Sequence, residues 1–210
     1  MVTINLSSHQ PDKIDVFLAA AHRRRYPARA TIIYAGDRSD CIYYIIRGSV
    51  TVLVEDESGR ELIVAYLNKG DFFGEMGLFL ESRSAWVKAR SECEVAELSL
   101  PKFRELAERD LSLLYAVGGQ MAERLRRTNQ KVSDLAFVDV TGRVARTLID
   151  LAREPDAMTH PDGMQIKITR QELGRIVGCS REMVGRVLKT LVEQHLIAVK
   201  GKTMVIHGTR

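Results

Sequence analysis

Cysteine is scarce in this 210-residue chain, and long apolar runs are missing from it. The three cysteines, Cys41, Cys93 and Cys179, are odd in number and far apart. They predict reduced thiols, with neither a disulfide framework nor a metal site. No apolar run approaches the ~20 residues that cross a bilayer, and the first residues have no signal-peptide pattern. We therefore expect a cytoplasmic protein that does not engage a membrane.

Signatures of catalysis are also missing. The sequence shows no nucleophile–base set, no cluster of metal ligands and no phosphate-binding P-loop. These absences argue against an enzyme and against a metal cofactor. The 45% hydrophobic and 28% charged residues are instead typical of a soluble globular protein, long enough for one large domain or two modest ones.

Basic charge is concentrated at one end of the chain. Residues 138–210 contain 12 Lys and Arg against 8 Asp and Glu, which accounts for the whole formal net charge of +4. A neutral part joined to a basic part predicts that the basic part meets a polyanion, although many basic surfaces only keep a protein in solution.

The longest helical pattern covers residues 110–136, which no Pro interrupts. Apolar or small residues recur there at steps that alternate between four and three, the spacing of a heptad seam. These residues are Leu114, Gly118, Met121, Leu125, Thr128, Val132 and Leu135. The pattern predicts a dimer seam or an ordinary core helix, and the narrow stripe favours the dimer. Thr128 places a hydroxyl in the seam, which needs a partner from the other chain or from a bound ligand.

Residues 31–98 change to short β-rich runs separated by turn signals. Their regular spacing predicts an antiparallel sandwich or jelly roll, a fold that often holds a small ligand. The predicted strands are residues 31–34, 42–46, 49–54, 62–67, 84–89 and 93–98. Short helices are predicted over residues 11–22 and 102–109. The basic run from His22 to Arg25 indicates a solvated corner or a contact with an acidic protein.

One loop interrupts this β-rich region. Gly74 and Gly77 lie three apart, and Arg83 and Ser84 follow just before a strand. Glycine lets the backbone approach a ligand closely, while amides at a helix start, a guanidinium and a hydroxyl suit an oxyanion such as phosphate. The carboxylate of Glu75 repels phosphate but suits the paired hydroxyls of a sugar. Together these residues predict a cyclic-nucleotide site.

A hinge is predicted near Phe137, where the long helical pattern ends. Asp139 is a natural N-cap for a further helix over residues 140–152. Residues 154–163, which contain two prolines and a glycine, are predicted to form a polar loop. The hinge separates the neutral part of the chain from the basic part.

The basic part predicts a helix-turn-helix. Thr169 caps one short helix, Gly178 breaks it, and Ser180 caps a second helix over residues 181–191. An ordinary helical hairpin has the same outline, but the basic outward face favours DNA. Two closing β-rich runs around a Gly-Lys turn predict the wing of a winged helix.

These blocks resemble the cyclic AMP receptor protein (catabolite activator) family over nearly all of the chain. The matching blocks are residues 74–79, 83–87, 135–143 and 156–183. The match lies nearest the proteobacterial branch that includes the virulence regulator of pseudomonads. It implies an α+β fold with a cyclic-nucleotide-binding β-roll (jelly roll) in residues 1–109, a dimerisation helix in 110–137 and a winged helix-turn-helix in 138–210. The implied function is cyclic AMP-dependent regulation of transcription by a homodimer.

The resemblance also assigns ligand contacts. The positions implied to contact cyclic AMP are Gly74, Glu75, Met76, Arg83, Ser84, Arg124, Thr128 and Asn129. The first three line the ribose side, the next two hold the cyclic phosphate, and the last three come from the long helix. Asn129, contributed by the partner chain, replaces the Ser or Thr of the family, and residues 80–82 are shorter than in the best-known members. Both departures bear on nucleotide affinity and choice.

Two macromolecular surfaces follow from the same resemblance. The positions implied to contact DNA are Thr169, Arg170, Ser180, Arg181, Glu182, Arg186, Lys189 and Lys202. Arginine suits guanine and glutamate suits the amino group of cytosine, and the resemblance implies a palindromic TGTGA-like site. The positions implied to touch RNA polymerase are Ala157, Thr159, His160, Pro161 and Gly163 on one surface and His22, Arg24 and Lys102 on another.

Three alternatives stay open at this point. The first is a response to another nucleotide, since residues 22–27 are similar to a branch of the family that answers to cyclic di-GMP. The second is DNA binding without any ligand. The third is a regulatory module of an enzyme, which the absence of a catalytic domain disfavours.

Overall fold

The computed structural model describes residues 11–154 and 157–208. The chain divides into two compact units. The first comprises residues up to 59 together with 63–128, and the second comprises residues 60–62 together with 129 onward. Within the described residues, no helix combines the length and the apolar character needed to cross a membrane.

Two four-stranded antiparallel sheets dominate the first unit. Their strands are β1 (His22–Tyr26), β2 (Thr31–Ile33), β3 (Cys41–Arg47), β4 (Ser49–Glu55), β5 (Glu61–Asn68), β6 (Phe72–Phe73), β7 (Trp86–Ala89) and β8 (Cys93–Ser99). One sheet has the order β1-β8-β3-β6 and the other β2-β7-β4-β5. The predicted antiparallel sandwich is therefore confirmed.

Strand β3 shows how the sequence builds two cores from one sheet. Its side chains alternate between the two faces, as in any strand. Tyr43 and Ile45 pack into the space between the sheets, whereas Ile42 and Tyr44 pack against helices on the outer face. Those helices are α1 (Pro11–Ala20), α2 (Leu100–Arg109) and the first turns of α3 (Ser112–Phe137).

Strand β1 was not predicted, because four consecutive polar residues show no apolar alternation. The strand forms because its neighbour β8 carries carboxylates that pair with its basic side chains. Arg24 lies 2.8 Å from Glu97, and Arg25 lies 3.4 Å from Glu94, so carboxylates on β8 balance the basic run. The run from His22 to Arg25 is thus an exposed edge strand: its solvent exposure agrees with the predicted solvated corner, and a contact with an acidic protein stays a prediction.

The second unit is a three-helix core closed by a small sheet. Its elements after α3 are α4 (Val140–Ala152), β9 (Met158–His160), β10 (Gly163–Lys167), α5 (Arg170–Val177), α6 (Arg181–Glu193), β11 (Ile197–Lys200) and β12 (Thr203–His207). The sheet order is β11-β12-β10-β9. Val144, Leu148, Leu173, Val184 and Met204 lie at the centre of the core and are almost fully buried.

The predicted polar loop over residues 154–163 is wrong for its second half. Met158–His160 forms β9, which pairs with β10 in an antiparallel hairpin. The strands were missed because their pairing involves a distant part of the chain: β10 pairs with β12, forty residues later. A Cβ on Gly163 would lie 2.0 Å from the carbonyl oxygen of Ile206. Glycine is required there by the close strand pairing, not by a turn. Residues 155 and 156 of the predicted loop lie outside the described residues.

Candidate functional sites

The glycine-containing loop forms a one-turn 3₁₀ helix, Glu75–Leu78, directly after β6. Gly74 precedes it in the left-handed region, with φ 75°. A Cβ at Gly74 would lie 2.9 Å from Nη1 of Arg83 and 3.1 Å from the ring of Tyr43. A close approach of the backbone was predicted at Gly74, and the group that the backbone approaches is the side chain of Arg83, the predicted phosphate-binding residue.

Arg83 is buried, with only 7% of its surface exposed. Its Nη1 donates to the carbonyl oxygen of Gly74 at 3.1 Å. Its Nη2 donates to the carbonyl oxygen of Cys41 at 2.8 Å and to Oδ1 of Asp40 at 3.2 Å. Three partners hold the guanidinium in one place before any ligand is considered. Asp40 and Cys41 were not predicted at the site, because they lie more than forty residues from Arg83 in the chain.

Two further titratable residues, Cys41 and Tyr43, lie beside this guanidinium. Burial, with the negative charges of Asp40 and Glu97, raises the pKa of the Cys41 thiol to about 12. Burial is also the main cause that raises the pKa of the Tyr43 phenol, with Glu97 next. Both groups are therefore uncharged near neutral pH.

Glu75 and Arg124 connect the loop to α3. Glu75 is buried, and its Oε1 accepts from Nη1 of Arg124 at 3.0 Å. Nη2 of Arg124 also donates to the carbonyl oxygen of Phe72. The structure thus brings together the two residues that sequence reasoning assigned to one site from positions 49 apart.

The remaining predicted ligand contacts lie nearer the surface. Met76 and Ser84 are exposed, and the Ser84 hydroxyl donates to the Met76 sulfur at 3.2 Å. One turn after Arg124, Thr128 is partly exposed. Asn129 follows it on α3, is exposed, and belongs to the second unit.

Helix α3 displays the predicted apolar stripe on its surface. Leu125 is 62% exposed and Val132 60% exposed, and Leu114 and Leu135 are also exposed. Large apolar side chains are seldom left in water as a continuous stripe unless a partner covers them. Phe137, 86% exposed at the end of the helix, extends this apolar surface beyond the predicted seam.

The helix-turn-helix has the predicted caps. The Thr169 hydroxyl accepts from the backbone N–H of Glu172 at 3.0 Å, and the Ser180 hydroxyl accepts from that of Met183 at 3.2 Å. Gly178 ends α5 in the left-handed region, with φ 74°. A Cβ on Gly174 would lie 2.7 Å from the carbonyl oxygen of Cys179, so the tight turn between the two helices also requires a glycine inside α5.

Helix α6 separates its buried and exposed faces as predicted. Its buried residues are Val184, Val187, Leu188 and Leu191. Arg181, Glu182, Arg186 and Lys189 are all exposed on the opposite face, and Arg170 and Lys202 are exposed on neighbouring elements. A hydrogen bond from its own backbone N–H, with a second from Ser180, lowers the pKa of Glu182, so this side chain is an ionised acceptor near neutral pH.

The residues assigned to RNA polymerase lie in two places. His22 and Arg24 are exposed on β1, and Lys102 is exposed on α2, where it pairs with Glu105 at 2.8 Å. The other set lies on β9 and the turn to β10: Thr159 and Pro161 are exposed, Ala157 and His160 are partly exposed, and Gly163 is buried. Gly163 therefore supports the backbone rather than presenting a contact surface. Nowhere among the described residues do three or more His, Cys, Asp or Glu side chains form a cluster able to hold a metal ion.

Two families match the chain. Residues 23–110 match the cyclic nucleotide-binding domain, and residues 142–208 match the Crp-like helix-turn-helix domain. The chain is 68% identical, over 94% of both chains, to the cAMP-activated global transcriptional regulator Vfr of Pseudomonas aeruginosa. It is 57% identical to the cAMP-activated global transcriptional regulator CRP of Pasteurella multocida, over 94% of this chain and 95% of that one.

The fold also matches that of a solved structure. The cyclic di-GMP-responsive global regulator CLP of Xanthomonas campestris superposes with a TM-score of 0.89 and is 47% identical, covering 95% of this chain and all of that one. The expected α+β fold and the family resemblance are thereby confirmed. The chain belongs to the CRP family of transcriptional regulators, which are DNA-binding proteins and not enzymes.

Proposed function

We propose that this chain is a cyclic AMP-activated, sequence-specific regulator of transcription that works as a homodimer in the bacterial cytoplasm, where the chromosome lies. The observation that carries this proposal is the convergence of Arg83, Gly74 and Glu75 in one chain with an exposed basic recognition helix. We assign residues 1–109 to ligand binding, 110–137 to dimerisation and 138–210 to DNA binding.

The site chemistry fits a cyclic mononucleotide. A phosphate accepts hydrogen bonds from the Arg83 guanidinium and the exposed Ser84 hydroxyl, and charge-assisted bonds of this kind are the strong ones. The Glu75 carboxylate accepts from ribose hydroxyls beside Gly74 and Met76, while Arg124 holds that carboxylate in position at 3.0 Å. Because Arg124 pairs with Glu75, Arg83 is, of these described residues, the one cation left for one phosphate, which favours cyclic AMP.

Cyclic di-GMP is the second candidate, because the Xanthomonas regulator that responds to it has nearly the same fold. The two proteins named as cAMP-activated are more similar in sequence to this chain, at 68% and 57% identity against 47%. A ligand with two phosphates needs a second cationic subsite, and Asp40 beside Arg83 is unfavourable for one. Cyclic AMP therefore remains our assignment.

The exposed stripe of α3 is the proposed dimer seam. Burying Leu125 and Val132 against a second copy stabilises the dimer by the usual ~25 cal/mol for each Å² of apolar surface removed from water. Thr128 then lies near the adenine, and Asn129 reaches the ligand held by the partner. An asparagine both donates and accepts, so it replaces the hydroxyl that the family uses there.

DNA is read by α6 in the proposed complex. Arg181 and Arg186 donate to guanine and Glu182 accepts from cytosine in the major groove, which selects a TGTGA-like half-site. Thr169, Arg170, Ser180, Lys189 and Lys202 contact phosphates, which position the protein without reading sequence. In a symmetric dimer the two recognition helices enter successive major grooves about 34 Å apart.

Activation is a shift between two arrangements of the dimer. Cyclic AMP favours the DNA-binding arrangement only as far as it binds that arrangement more tightly. On DNA, the exposed side chains of residues 157–161, whose backbone Gly163 supports, and the surface of His22, Arg24 and Lys102 contact RNA polymerase. Those two surfaces are exposed at Thr159, Pro161, His22, Arg24 and Lys102, as a contact requires.

Titration calorimetry tests the ligand, and sedimentation tests the dimer. The protein should bind cyclic AMP with a higher affinity than cyclic GMP or cyclic di-GMP. Leu125→Arg should sediment as a monomer, whereas Leu196→Arg, an exposed leucine outside the proposed seam, should remain a dimer. A preference for cyclic di-GMP would overturn the ligand assignment, and a dimeric Leu125→Arg variant would overturn the seam.

A further inference from the structure

We infer that Gln120, on α3, is a positioning residue that couples the nucleotide site to the dimerisation helix. This inference rests on the proposed function and names a residue outside the predicted ligand contacts. Gln120 is part of α3 and lies one helical turn before Arg124, so both side chains project from the same face.

The side-chain amide of Gln120 makes two hydrogen bonds to the turn between β5 and β6. Its Oε1 accepts from the backbone N–H of Phe72 at 2.8 Å, and its Nε2 donates to the carbonyl oxygen of Gly70 at 2.9 Å. Gly70 is itself in the left-handed region, with φ 96°, and is buried. One amide therefore binds a constrained, largely buried turn to α3 through both of its polar atoms.

The same oxygen extends the connection to the ligand-binding carboxylate. Nη2 of Arg124 donates to Oε1 of Gln120 at 3.1 Å, and Nη1 of Arg124 donates to Glu75 at 3.0 Å. Gln120 thus restrains the guanidinium that restrains Glu75. When a ligand binds Glu75 and displaces it, Arg124 and Gln120 transmit that displacement to α3.

Because the core around Phe72 is tightly packed, a displacement of the loop also moves the helix. Phe72, whose amide binds Gln120, is 1% exposed, and its ring lies 5.2 Å from the ring of Phe17 in an edge-on contact. A packed core does not deform continuously, so the turn and the loop after it move as one body. Without Gln120, ligand contacts at Arg83 and Ser84 persist and Arg124 still bonds to Glu75, but α3 loses its two hydrogen bonds to Phe72 and Gly70 and follows the loop less closely.

Only an amide satisfies all three partners, Phe72, Gly70 and Arg124. A carboxylate at position 120 keeps the acceptor for Phe72 N–H and Arg124 but loses the donor to Gly70, and a thioether of the same length loses every strong hydrogen bond. Gln120→Glu is therefore the conservative variant and Gln120→Met the disruptive one. Gln130→Met is the matched control, since the Gln130 amide lies on the same helix and donates to Asp134, one turn further along that helix, at 2.9 Å.

The test measures coupling rather than affinity alone. The cyclic AMP dissociation constant is determined by calorimetry for the full-length protein, without DNA and with a saturating palindromic duplex. Their ratio is the coupling factor, for which 5- to 150-fold is the usual range in allosteric proteins. We expect the cyclic AMP dissociation constant of Gln120→Met without DNA to lie within about threefold of the parent value. Its coupling factor should be about tenfold smaller than that of the parent, or one if the parent value is below ten. Gln120→Glu should be intermediate, and Gln130→Met should match the parent.

Each outcome decides the inference. If Gln120→Met has the same coupling factor as the parent, the inference is overturned. It is also overturned if Gln120→Met loses as much cyclic AMP affinity without DNA as it loses coupling, because Gln120 would then only help to build the binding site. If thermal denaturation shows that Gln120→Met is unfolded, Gln120→Glu decides in the same way. A parent protein with a coupling factor of one would overturn the proposed function, and a coupled parent with an equally coupled Gln120→Met would overturn this inference alone.

Discussion

Replacement of Arg83 by Lys separates charge from geometry at the proposed phosphate site. Lysine keeps one positive charge but has no planar fork, so it offers a point contact where arginine offers paired donors. A hydrogen bond to a charged group contributes about 1.5–3 kcal/mol. Losing one of the two bonds that the guanidinium makes to a phosphate should therefore weaken cyclic AMP binding about 10- to 160-fold.

The substitution also acts on the folded protein. In the structure, Arg83 donates to the carbonyl oxygens of Gly74 and Cys41, and a lysine ammonium does not reach both. A buried carbonyl left without a partner costs about 1–3 kcal/mol. The melting temperature should fall with the affinity, and Arg83→Leu should lower it further, because no donor is left for either carbonyl.

Calorimetry with cyclic AMP and a thermal melt of the same samples give both quantities. Arg90→Lys is the matched control, since this guanidinium lies just after β7, 4.7 Å above the ring of Tyr66, and is not among the proposed ligand contacts. The control should bind cyclic AMP like the parent. Parental affinity in Arg83→Lys, or an equal loss in the two variants, would refute the assignment of Arg83 to the phosphate.

Three further predictions concern other parts of the molecule. Gly174→Ala should destabilise the second unit by about 1–3 kcal/mol in urea unfolding, because its Cβ would lie 2.7 Å from the Cys179 carbonyl oxygen. Unchanged stability would show that the turn between α5 and α6 does not pack tightly on Gly174. Arg181→Ala should relax base preference at one position by ~1–3 kcal/mol, while Lys202→Ala should weaken all duplexes equally and lower the salt slope by about one. An unaltered base preference in Arg181→Ala would exclude that residue from base reading. Alkylation of Cys41 at pH 8 should be about a thousandfold slower than that of a thiol with a pKa of 9, because its pKa is raised to about 12 and only the thiolate reacts. A rate that levels off near pH 9 would contradict the raised pKa.

Local sequence signals predicted the helical parts of the structure well. Asp139, Thr169 and Ser180 each accept the capping hydrogen bond expected of them, and α4 covers the predicted residues 140–152. Helix α3 begins two residues later than predicted, where the Asp110 carboxylate accepts from the backbone N–H of Ser112 at 2.9 Å. Caps and helical periodicity act within a few residues, so they can be read from a short stretch of chain.

Long-range pairing explains what the sequence did not reveal. Strand β1 depends on the carboxylates of β8, some seventy residues away, and β6 is only two residues long. At the candidate site, the glycine loop and Arg83 were predicted from their types and spacing. Asp40 and Gln120 carry no such signal, because an acidic residue in a turn or a glutamine on a helix is ordinary until folding places it beside Arg83 or the β5–β6 turn.

The central claim is that cyclic AMP switches this protein into a DNA-binding state. Fluorescence anisotropy of a labelled palindromic TGTGA–TCACA duplex, titrated with protein at one fixed salt concentration, tests it directly. Binding should be tight with cyclic AMP and at least about fivefold weaker without nucleotide, and cyclic GMP and cyclic di-GMP should not substitute. Equal affinity with and without cyclic AMP would contradict the switch.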